Sequence, residues 1–137
     1  MREITLHTDG ASRPNPGPGG WAVLFEGKHN YLELCGREPG KTTNNRMEVL
    51  ACIEGLESLE GSWKVRVRTD SMYLIYAIRR YGKKRKTKGN HDLIARLFEA
   101  RKPHEVSCEY VRGHCGDPWN ERADYLAKTC AAGKEIS

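Results

Sequence analysis

The sequence predicts an α/β domain with a mixed β-sheet, and three observations lead to this fold class. Three strand-like segments open the chain, at about residues 3–10, 21–26 and 31–36, with a connection of hairpin composition between the second and third. A helical segment then leads to a fourth strand, which indicates a right-handed parallel crossover. The first and fourth strands end on Asp9 and Asp70. We therefore expect these two acids to lie side by side at one edge of the sheet.

The first strand is predicted from the alternation of Ile4 and Leu6 with polar residues. It ends on Asp9 and Gly10, at the end of a strand where ligands collect in sheets with helical crossovers. Taken alone, an Asp-Gly pair is more often a simple turn. Residues 11–20 contain three prolines and three glycines, and this composition predicts a fixed loop without regular structure.

The next element is a helix that follows the capping side chains of residues 42–45. Apolar residues recur at helical spacing over residues 49–59 and predict a core-facing stripe. Glu48 directly precedes this stripe, where a helix can aim a side chain at the end of a neighbouring strand. As an isolated feature, it would be a solvated glutamate.

The second half of the chain predicts two helices, a fifth strand and a last helix. Their expected positions are residues 74–81, 91–102, 106–110 and 120–132. Pro103 stops the second of these helices, and Pro118 favours the start of the last one. Asp124 follows Asn120 by four residues and shares its helix face. By itself, Asp124 would be an ordinary surface aspartate.

Composition is that of one globular domain, which we expect to span residues 1–137 with a frayed tail at 132–137. The chain has 38% hydrophobic and 30% charged residues, without a long apolar run or a basic and apolar leader. We therefore expect a cytoplasmic protein without a membrane span or signal peptide. Five cysteines without Cys-x-x-Cys spacing argue against a zinc site or disulfide framework and predict mostly buried thiols.

Positive charge is concentrated in one segment. Residues 79–88 hold seven Lys and Arg residues, one tyrosine and no acid, although the whole chain has a net charge of only +5. Such a segment is typical of contact with a nucleic-acid backbone, because each neutralised phosphate releases counterions. A solvated loop without a specific partner is the alternative that charge alone leaves open.

Five motifs of this sequence occur in a familiar order. They are Thr8-Asp9-Gly10 with residues 15–20, residues 42–48, Thr69-Asp70-Ser71, Gly113-His114 and residues 120–124. Together, from residue 4 to about 131, they resemble the motif series of type 1 ribonuclease H. The resemblance implies a ribonuclease H-like fold, with a mixed five-stranded sheet in the order 3-2-1-4-5 flanked by helices. It also implies endonucleolytic hydrolysis of the RNA strand of RNA/DNA hybrids, giving 5′-phosphate and 3′-hydroxyl ends.

The resemblance assigns catalytic roles to five residues. Asp9, Glu48, Asp70 and Asp124 match the metal-binding carboxylates of the family, and His114 matches a loop histidine that serves proton transfer or product release. Hard cations such as Mg²⁺ take oxygen ligands, and clustered carboxylates need cations to offset their mutual repulsion. The implied cofactor is two Mg²⁺ ions about 3.5–4 Å apart, which Mn²⁺ can replace, with water as the nucleophile.

The same resemblance also implies which residues contact the substrate. Asn15, Asn44 and Asn45 match positions that reach the minor groove of the hybrid, where 2′-hydroxyls distinguish RNA from DNA. Thr43 and Asn90 match a DNA-phosphate pocket. The remaining expected contacts are Lys41, Ser71, Met72, Tyr81, Lys83, Lys84, Arg85 and Lys86. The implied partner is an RNA/DNA hybrid bound by a monomer.

The chain departs from the family pattern at three places. Lys41 stands at a position of the DNA-phosphate pocket where arginine is usual. Lysine keeps the positive charge but cannot make the bidentate contact of a guanidinium group. Met72 replaces a glutamine that touches the groove, and a thioether cannot donate that hydrogen bond. A short tryptophan-free basic run replaces the longer handle of many bacterial members, with Tyr81 in place of a tryptophan. We therefore expect the affinity for the hybrid to depend mainly on electrostatic attraction and to fall steeply as the salt concentration rises.

Three function classes are compatible with such a fold. The first is the hybrid-specific endonuclease, and the second is another nuclease or strand-transfer enzyme, because this fold hosts several chemistries. The paired Asn44 and Asn45 and the absence of attached DNA-binding domains disfavour the second. The third is a non-catalytic hybrid-binding module, which is disfavoured because none of the four carboxylates is missing.

Overall fold

The computed structural model describes residues 1–79 and 90–136. The five strands are β1 (Arg2–Ser12), β2 (Gly17–Glu26), β3 (Tyr31–Thr42), β4 (Trp63–Thr69) and β5 (Glu105–Tyr110). Within the described ranges, the helices are α1 (Asn44–Glu57), α2 (Met72–Arg79), α3 (His91–Arg101) and α4 (Pro118–Ala131). Among the described residues, no helix is long and apolar enough to cross a membrane.

The strands form one mixed sheet in the order β3-β2-β1-β4-β5. β2 is antiparallel to both β1 and β3, whereas β4 is parallel to both β1 and β5. Leu6 of β1 lies opposite Val67 of β4 in this register. The predicted fold class and strand order are therefore confirmed, and the C-terminal ends of β1 and β4 meet at the same edge of the sheet.

Helices cover both faces of the sheet. α1 is buried along much of its circumference, because it packs on β1 and β2 from one side and against α2 and α3 from the other. α4 packs on β1, β2 and β3 in a separate, smaller cluster that includes Ala22, Leu24, Leu126 and Ala127. Each face of the central strands thus supports one helix that carries a candidate site residue.

Capping side chains mark the starts of α1 and α4, and only the cap region of α1 was predicted. Thr43 precedes α1, and its Oγ1 accepts a hydrogen bond from the Arg46 amide at 3.2 Å. Asp117 precedes α4 and accepts from the Asn120 amide at 3.1 Å, with Pro118 as the first helical residue. α4 therefore begins two residues earlier than expected, because Asp117 is the cap. Its end at residue 131 agrees with the prediction near 132.

The prediction that residues 11–20 hold no regular structure is wrong. β1 continues to Ser12, β2 begins at Gly17, and only residues 13–16 connect them. Glycine is required here by close packing, because a Cβ atom on Gly20 would lie 2.2 Å from the Ala127 carbonyl oxygen of α4. Pro18 is tolerated because the register of β2 and β3 shifts between Gly17 and Gly19.

Two smaller expectations also need correction. β3 runs to Thr42 and not to about residue 36, because Gly36 stays in the strand and leaves room for the Trp21 ring, 2.6 Å from where a Cβ atom would lie. The cysteines are not mostly buried. Cys52 is buried and Cys115 is exposed, and the other three are half-buried.

Candidate active site

Three acids converge at the edge of the sheet where β1 and β4 end. Asp9 comes from β1, Glu48 from the first turns of α1, and Asp70 directly follows β4. One carboxylate oxygen from each lies within 4.8 Å of the other two. Asp9 and Glu48 are only 4% and 8% exposed. The predicted convergence of Asp9 and Asp70 is therefore present in the structure, and Glu48 joins them.

A glycine allows the helix to approach this closely. A Cβ atom on Gly10 would lie 2.3 Å from the carbonyl carbon of Met47 and 2.4 Å from the amide nitrogen of Glu48. These are backbone atoms of α1, which cannot turn aside as a side chain can. Any larger residue after Asp9 would therefore push α1, with Glu48, away from the end of β1.

Asp9 and Glu48 are held in an environment that opposes their ionisation. Burial, reinforced by the charge of Asp70, raises the pKa of Asp9 to about 7. Burial and then the charges of Asp9 and Asp70 hold the pKa of Glu48 well above its usual value. The Gly10 amide donates to Asp9 Oδ1 at 2.9 Å and partly offsets this shift. The site therefore favours a bound proton or cation over three free carboxylates.

The donor set fits a hard divalent cation. Glu48 Oε1 is buried and has no hydrogen-bond partner among the described residues. An unpaired buried carboxylate oxygen is costly, and coordination by a cation would satisfy it together with the clustered charges. Oxygen ligands of this kind suit Mg²⁺. Asp9, Glu48 and Asp70 are thus residues that could hold a metal.

The fourth acid is placed differently. Asp124 lies on α4, where its Oδ2 pairs with Lys128 Nζ at 3.0 Å, and it is outside the cluster of three acids. Its charge nevertheless contributes to the raised pKa values of Asp9 and Glu48. Asp124 therefore faces the site at longer range, with a lysine as its present counter-ion.

Asn120 is a site residue that sequence reasoning did not assign. It is 7% exposed, and its Nδ2 donates to Asp70 Oδ2 at 3.3 Å. This contact orients Asp70 from the helix that carries Asp124. The signal was available in the four-residue spacing of Asn120 and Asp124, which places both side chains on the helix face that meets the acids.

His114 lies in the turn between β5 and α4. It is exposed and has a φ of 57°, in the left-handed region. The preceding Gly113 passes close to Asp70, since a Cβ atom there would lie 2.8 Å from Asp70 Oδ2. The turn that carries His114 therefore passes close to Asp70 at the preceding residue.

The predicted groove contacts gather beside α1. Asn15, Asn44 and Asn45 are exposed. Thr43 lies between the end of β3 and Asn44, and it caps the start of α1. The Asn44 amide donates to Asn15 Oδ1 at 3.0 Å. The structure thus joins the connection between β1 and β2 to the start of α1 on one surface.

The predicted phosphate pocket contains an arginine that sequence reasoning missed. Arg46 Nη1 donates to Asn90 Oδ1 at 3.2 Å, and Arg46 pairs with Asp92 at 2.7 Å. Asn90 Nδ2 donates in turn to the Tyr73 hydroxyl at 2.8 Å. Lys41 is exposed at the end of β3. The spacing of Arg46 and Thr43 on one helical turn could have indicated this residue.

The other predicted contacts differ in exposure. Met72 is 61% exposed at the start of α2, whereas Ser71 is buried, with its Oγ accepting from the Leu74 amide at 3.0 Å. Ser71 therefore caps a helix and does not present its hydroxyl on the surface. Five predicted contacts lie outside the described residues, namely Tyr81, Lys83, Lys84, Arg85 and Lys86.

Comparison with protein families and curated relatives gives a consistent result. The family described as RNase H matches residues 1–132. Ribonuclease HI of Caulobacter vibrioides is 46% identical over 136 residues, which cover 91% of this chain and 90% of the relative. Ribonuclease H of Syntrophomonas wolfei is 44% identical over 141 residues, which cover 93% of this chain and 95% of the relative.

Solved structures show the same similarity. LC9-RNase H1, a type 1 RNase H with the type 2 active-site motif, has a TM-score of 0.83 at 30% identity and covers 100% of this chain and 75% of its own. LC11-RNase H1 in complex with an RNA/DNA hybrid has a TM-score of 0.75 at 25% identity, covering 95% and 97%. With its matching fold and a convergent acidic site, the chain belongs to the ribonuclease H family of enzymes.

Proposed function

We propose that this protein is an endonuclease that hydrolyses the RNA strand of RNA/DNA hybrids with the help of divalent cations. The observation that carries the proposal is the cluster of Asp9, Glu48 and the half-buried Asp70, in which one carboxylate oxygen from each residue lies within 4.8 Å of the other two. Family membership supports the reaction, and the related LC11-RNase H1 binds an RNA/DNA hybrid.

The metal ligands in this proposal are Asp9, Glu48, Asp70 and Asp124. Two Mg²⁺ ions, or Mn²⁺ in their place, would supply an activated water and stabilise the leaving 3′ oxygen, which leaves 5′-phosphate and 3′-hydroxyl ends. The unpartnered Glu48 Oε1 supports this assignment. Asp124 would complete the set after release from Lys128, its partner at 3.0 Å.

The chain itself holds these ligands in position. The Gly10 amide fixes one oxygen of Asp9, and Asn120 donates to one oxygen of Asp70. Burial of Asp9 and Glu48 keeps bulk water away from part of the site. His114, exposed in the adjacent turn, would exchange a proton with solvent or assist product release.

Substrate binding is proposed to use the surface beside α1. Asn15, Asn44 and Asn45 would enter the minor groove, and Thr43 and Asn90 would hold a DNA phosphate. Lys41 and the basic residues from Lys83 to Lys86 would add charge along the hybrid, with Met72 at the groove and Tyr81 stacking in the DNA channel. The buried Ser71 would act through the start of α2, by capping it. We further propose that the protein acts as a cytoplasmic monomer.

The test compares four substrates with a labelled strand: an RNA/DNA hybrid, single-stranded RNA, duplex RNA and duplex DNA. Each is incubated with the parent protein with and without Mg²⁺ or Mn²⁺. We expect metal-dependent cleavage of the hybrid RNA alone. Asp70→Asn should lower the cleavage rate at least 100-fold, because it removes a charge on which transition-state stabilisation depends.

The matched control is Glu99→Gln, which removes one carboxylate from the exposed face of α3. It should leave the cleavage rate unchanged. Binding of the hybrid without cleavage in either metal would instead identify the protein as a binding module. Cleavage of duplex DNA at a comparable rate would identify another nuclease of the same fold.

A further inference from the structure

A buried serine joins three segments of backbone beside the acidic site. Ser12, at the end of β1, is 4% exposed. Its Oγ lies 3.0 Å from the carbonyl oxygens of Pro14 and Gly17 and 3.1 Å from that of Thr42. These three carbonyls belong to the connection between β1 and β2, the first residue of β2 and the last residue of β3. One hydroxyl proton is therefore shared among three acceptors that only this geometry brings together.

The backbone amide of residue 12 determines which way a neighbouring side-chain amide points. The Ser12 amide donates to Asn44 Oδ1 at 2.7 Å, and the Asn44 amide donates to Asn15 Oδ1 at 3.0 Å. A backbone N–H can only donate, so both side-chain oxygens serve as acceptors within the protein. The Nδ2 groups of Asn15 and Asn44 are then left as the outward groups of two exposed residues. The surface consequently presents two hydrogen-bond donors in a fixed arrangement.

Two fixed donors match one feature of every base pair. In the minor groove, purine N3 and pyrimidine O2 are acceptors, whichever pair is present. The 2′-hydroxyl oxygen of an RNA strand is a further acceptor. Donors at Asn15 and Asn44 would therefore bind a hybrid without selecting a base sequence, whereas side-chain oxygens turned outward would face acceptors and repel them.

We propose that Ser12 is a positioning residue for substrate recognition, which holds Asn15 and Asn44 with their Nδ2 groups directed at minor-groove acceptors of the hybrid. The hydroxyl draws the connection at residues 13–16 towards β2 and β3, and so fixes the height of Asn15 above α1. This inference rests on the proposed hybrid substrate. It adds a residue that does not itself touch the nucleic acid.

The main test is Ser12→Ala, measured by kcat and KM on an RNA/DNA hybrid. Loss of the shared hydroxyl should raise KM about fivefold to tenfold, the range expected for one lost hydrogen-bonding group. The value of kcat should stay within twofold, because the acidic cluster is untouched. Ser58→Ala is the matched control, since Ser58 Oγ donates to the Gly55 carbonyl at 2.8 Å on the last turn of α1. It should change neither constant.

A modified substrate separates positioning from a merely structural role. Hybrids containing 3-deazaadenine lack the N3 acceptor, so they should have a higher KM for the parent. For Ser12→Ala this increase should be smaller, because the hydroxyl no longer holds the connection that carries Asn15, while the backbone amide of residue 12 still holds Asn44. The two changes should therefore not be additive. Ser12→Cys keeps the shape of the side chain with a weaker donor and should give an intermediate KM, so it carries the test if Ser12→Ala does not fold.

The outcomes are distinguishable. If the parent neither binds nor cleaves the hybrid, the proposed function fails and this inference fails with it. If the parent cleaves normally while Ser12→Ala and Ser12→Cys keep the parental KM, only the role of Ser12 is overturned. A fall in kcat at constant KM, or an undiminished response to 3-deazaadenine, would likewise overturn it.

Discussion

Replacing Gly10 with alanine adds one methyl group where β1 meets α1. The added Cβ atom would lie 2.3 Å from the Met47 carbonyl carbon, 2.4 Å from the Glu48 amide nitrogen and 2.6 Å from the Met47 carbonyl oxygen. Carbon atoms in contact normally stay about 3.5–4.0 Å apart, so the two backbones must separate by roughly 1 Å. Overpacking of this kind costs about 1–3 kcal/mol or more. A gain of about 0.4–1 kcal/mol from restricting the unfolded chain offsets part of it.

We therefore expect Gly10→Ala to lower the free energy of unfolding by about 2 kcal/mol. Urea denaturation followed by far-ultraviolet circular dichroism measures this, with a midpoint shift of roughly 1 M. Gly40→Ala is the control, because a Cβ atom on Gly40 would meet no atom within 4 Å. Separation of α1 from β1 should also reduce the stabilisation of the protein by Mg²⁺. Equal midpoints for the two variants would refute the claim that close backbone approach requires Gly10.

Two further predictions concern the acids. Without divalent cations, the free energy of unfolding should fall as pH rises from about 4 to about 7, because the folded-state pKa of Asp9 is raised from 3.8 to about 7 and that of Glu48 is also raised. Glu48→Gln should flatten this dependence in urea titrations with EDTA, and an unchanged slope would contradict the assignment. Lys128→Met should release Asp124 and tighten Mn²⁺ binding up to about fivefold by calorimetry, since a half-exposed pair is worth about 1 kcal/mol or less. Weaker binding would show that Lys128 supports the site, and Lys102→Met at the C-terminal cap of α3 is the matched charge control.

The sequence pattern was sufficient to place β1 and β4 and the acids at their ends, whereas the strand order and the role of Glu48 came from the resemblance to type 1 ribonuclease H. The alternation in β1 and β4 ends on Asp9 and Asp70, and a parallel crossover between them permits few arrangements. The capping side chains of residues 42–45 marked the start of α1 and therefore the position of Glu48. Local chemistry and chain topology agreed at these positions, which is why strand ends and caps could be placed without a structure.

Close tertiary contacts could not be predicted in the same way. The glycine-proline segment was expected to be a loop because local propensity forbids a strand there, yet Gly20 belongs to β2 because α4 packs directly on its backbone. Asn120 and Arg46 have partners 50 and 44 residues away in the chain. Likewise, the carbonyl acceptors of Ser12 include Thr42, on another strand. Such contacts depend on distances of a few ångströms between elements. Spacing within one helix can indicate which face a residue shares, but it does not identify the partner on a distant element.

The acidic cluster also links stability to function. Burial and like charge make Asp9 and Glu48 resist ionisation in the folded protein, so clustering them opposes folding at neutral pH unless protons or cations bind. A cation that binds only the folded state repays this cost through its own binding free energy. Gly10 and Asn120 hold the acids together against their repulsion. It follows that Glu48→Gln, which removes one charge from the cluster, should gain stability in EDTA and lose part of the stabilisation by Mg²⁺, whereas a variant of the distant core should lose stability equally in both.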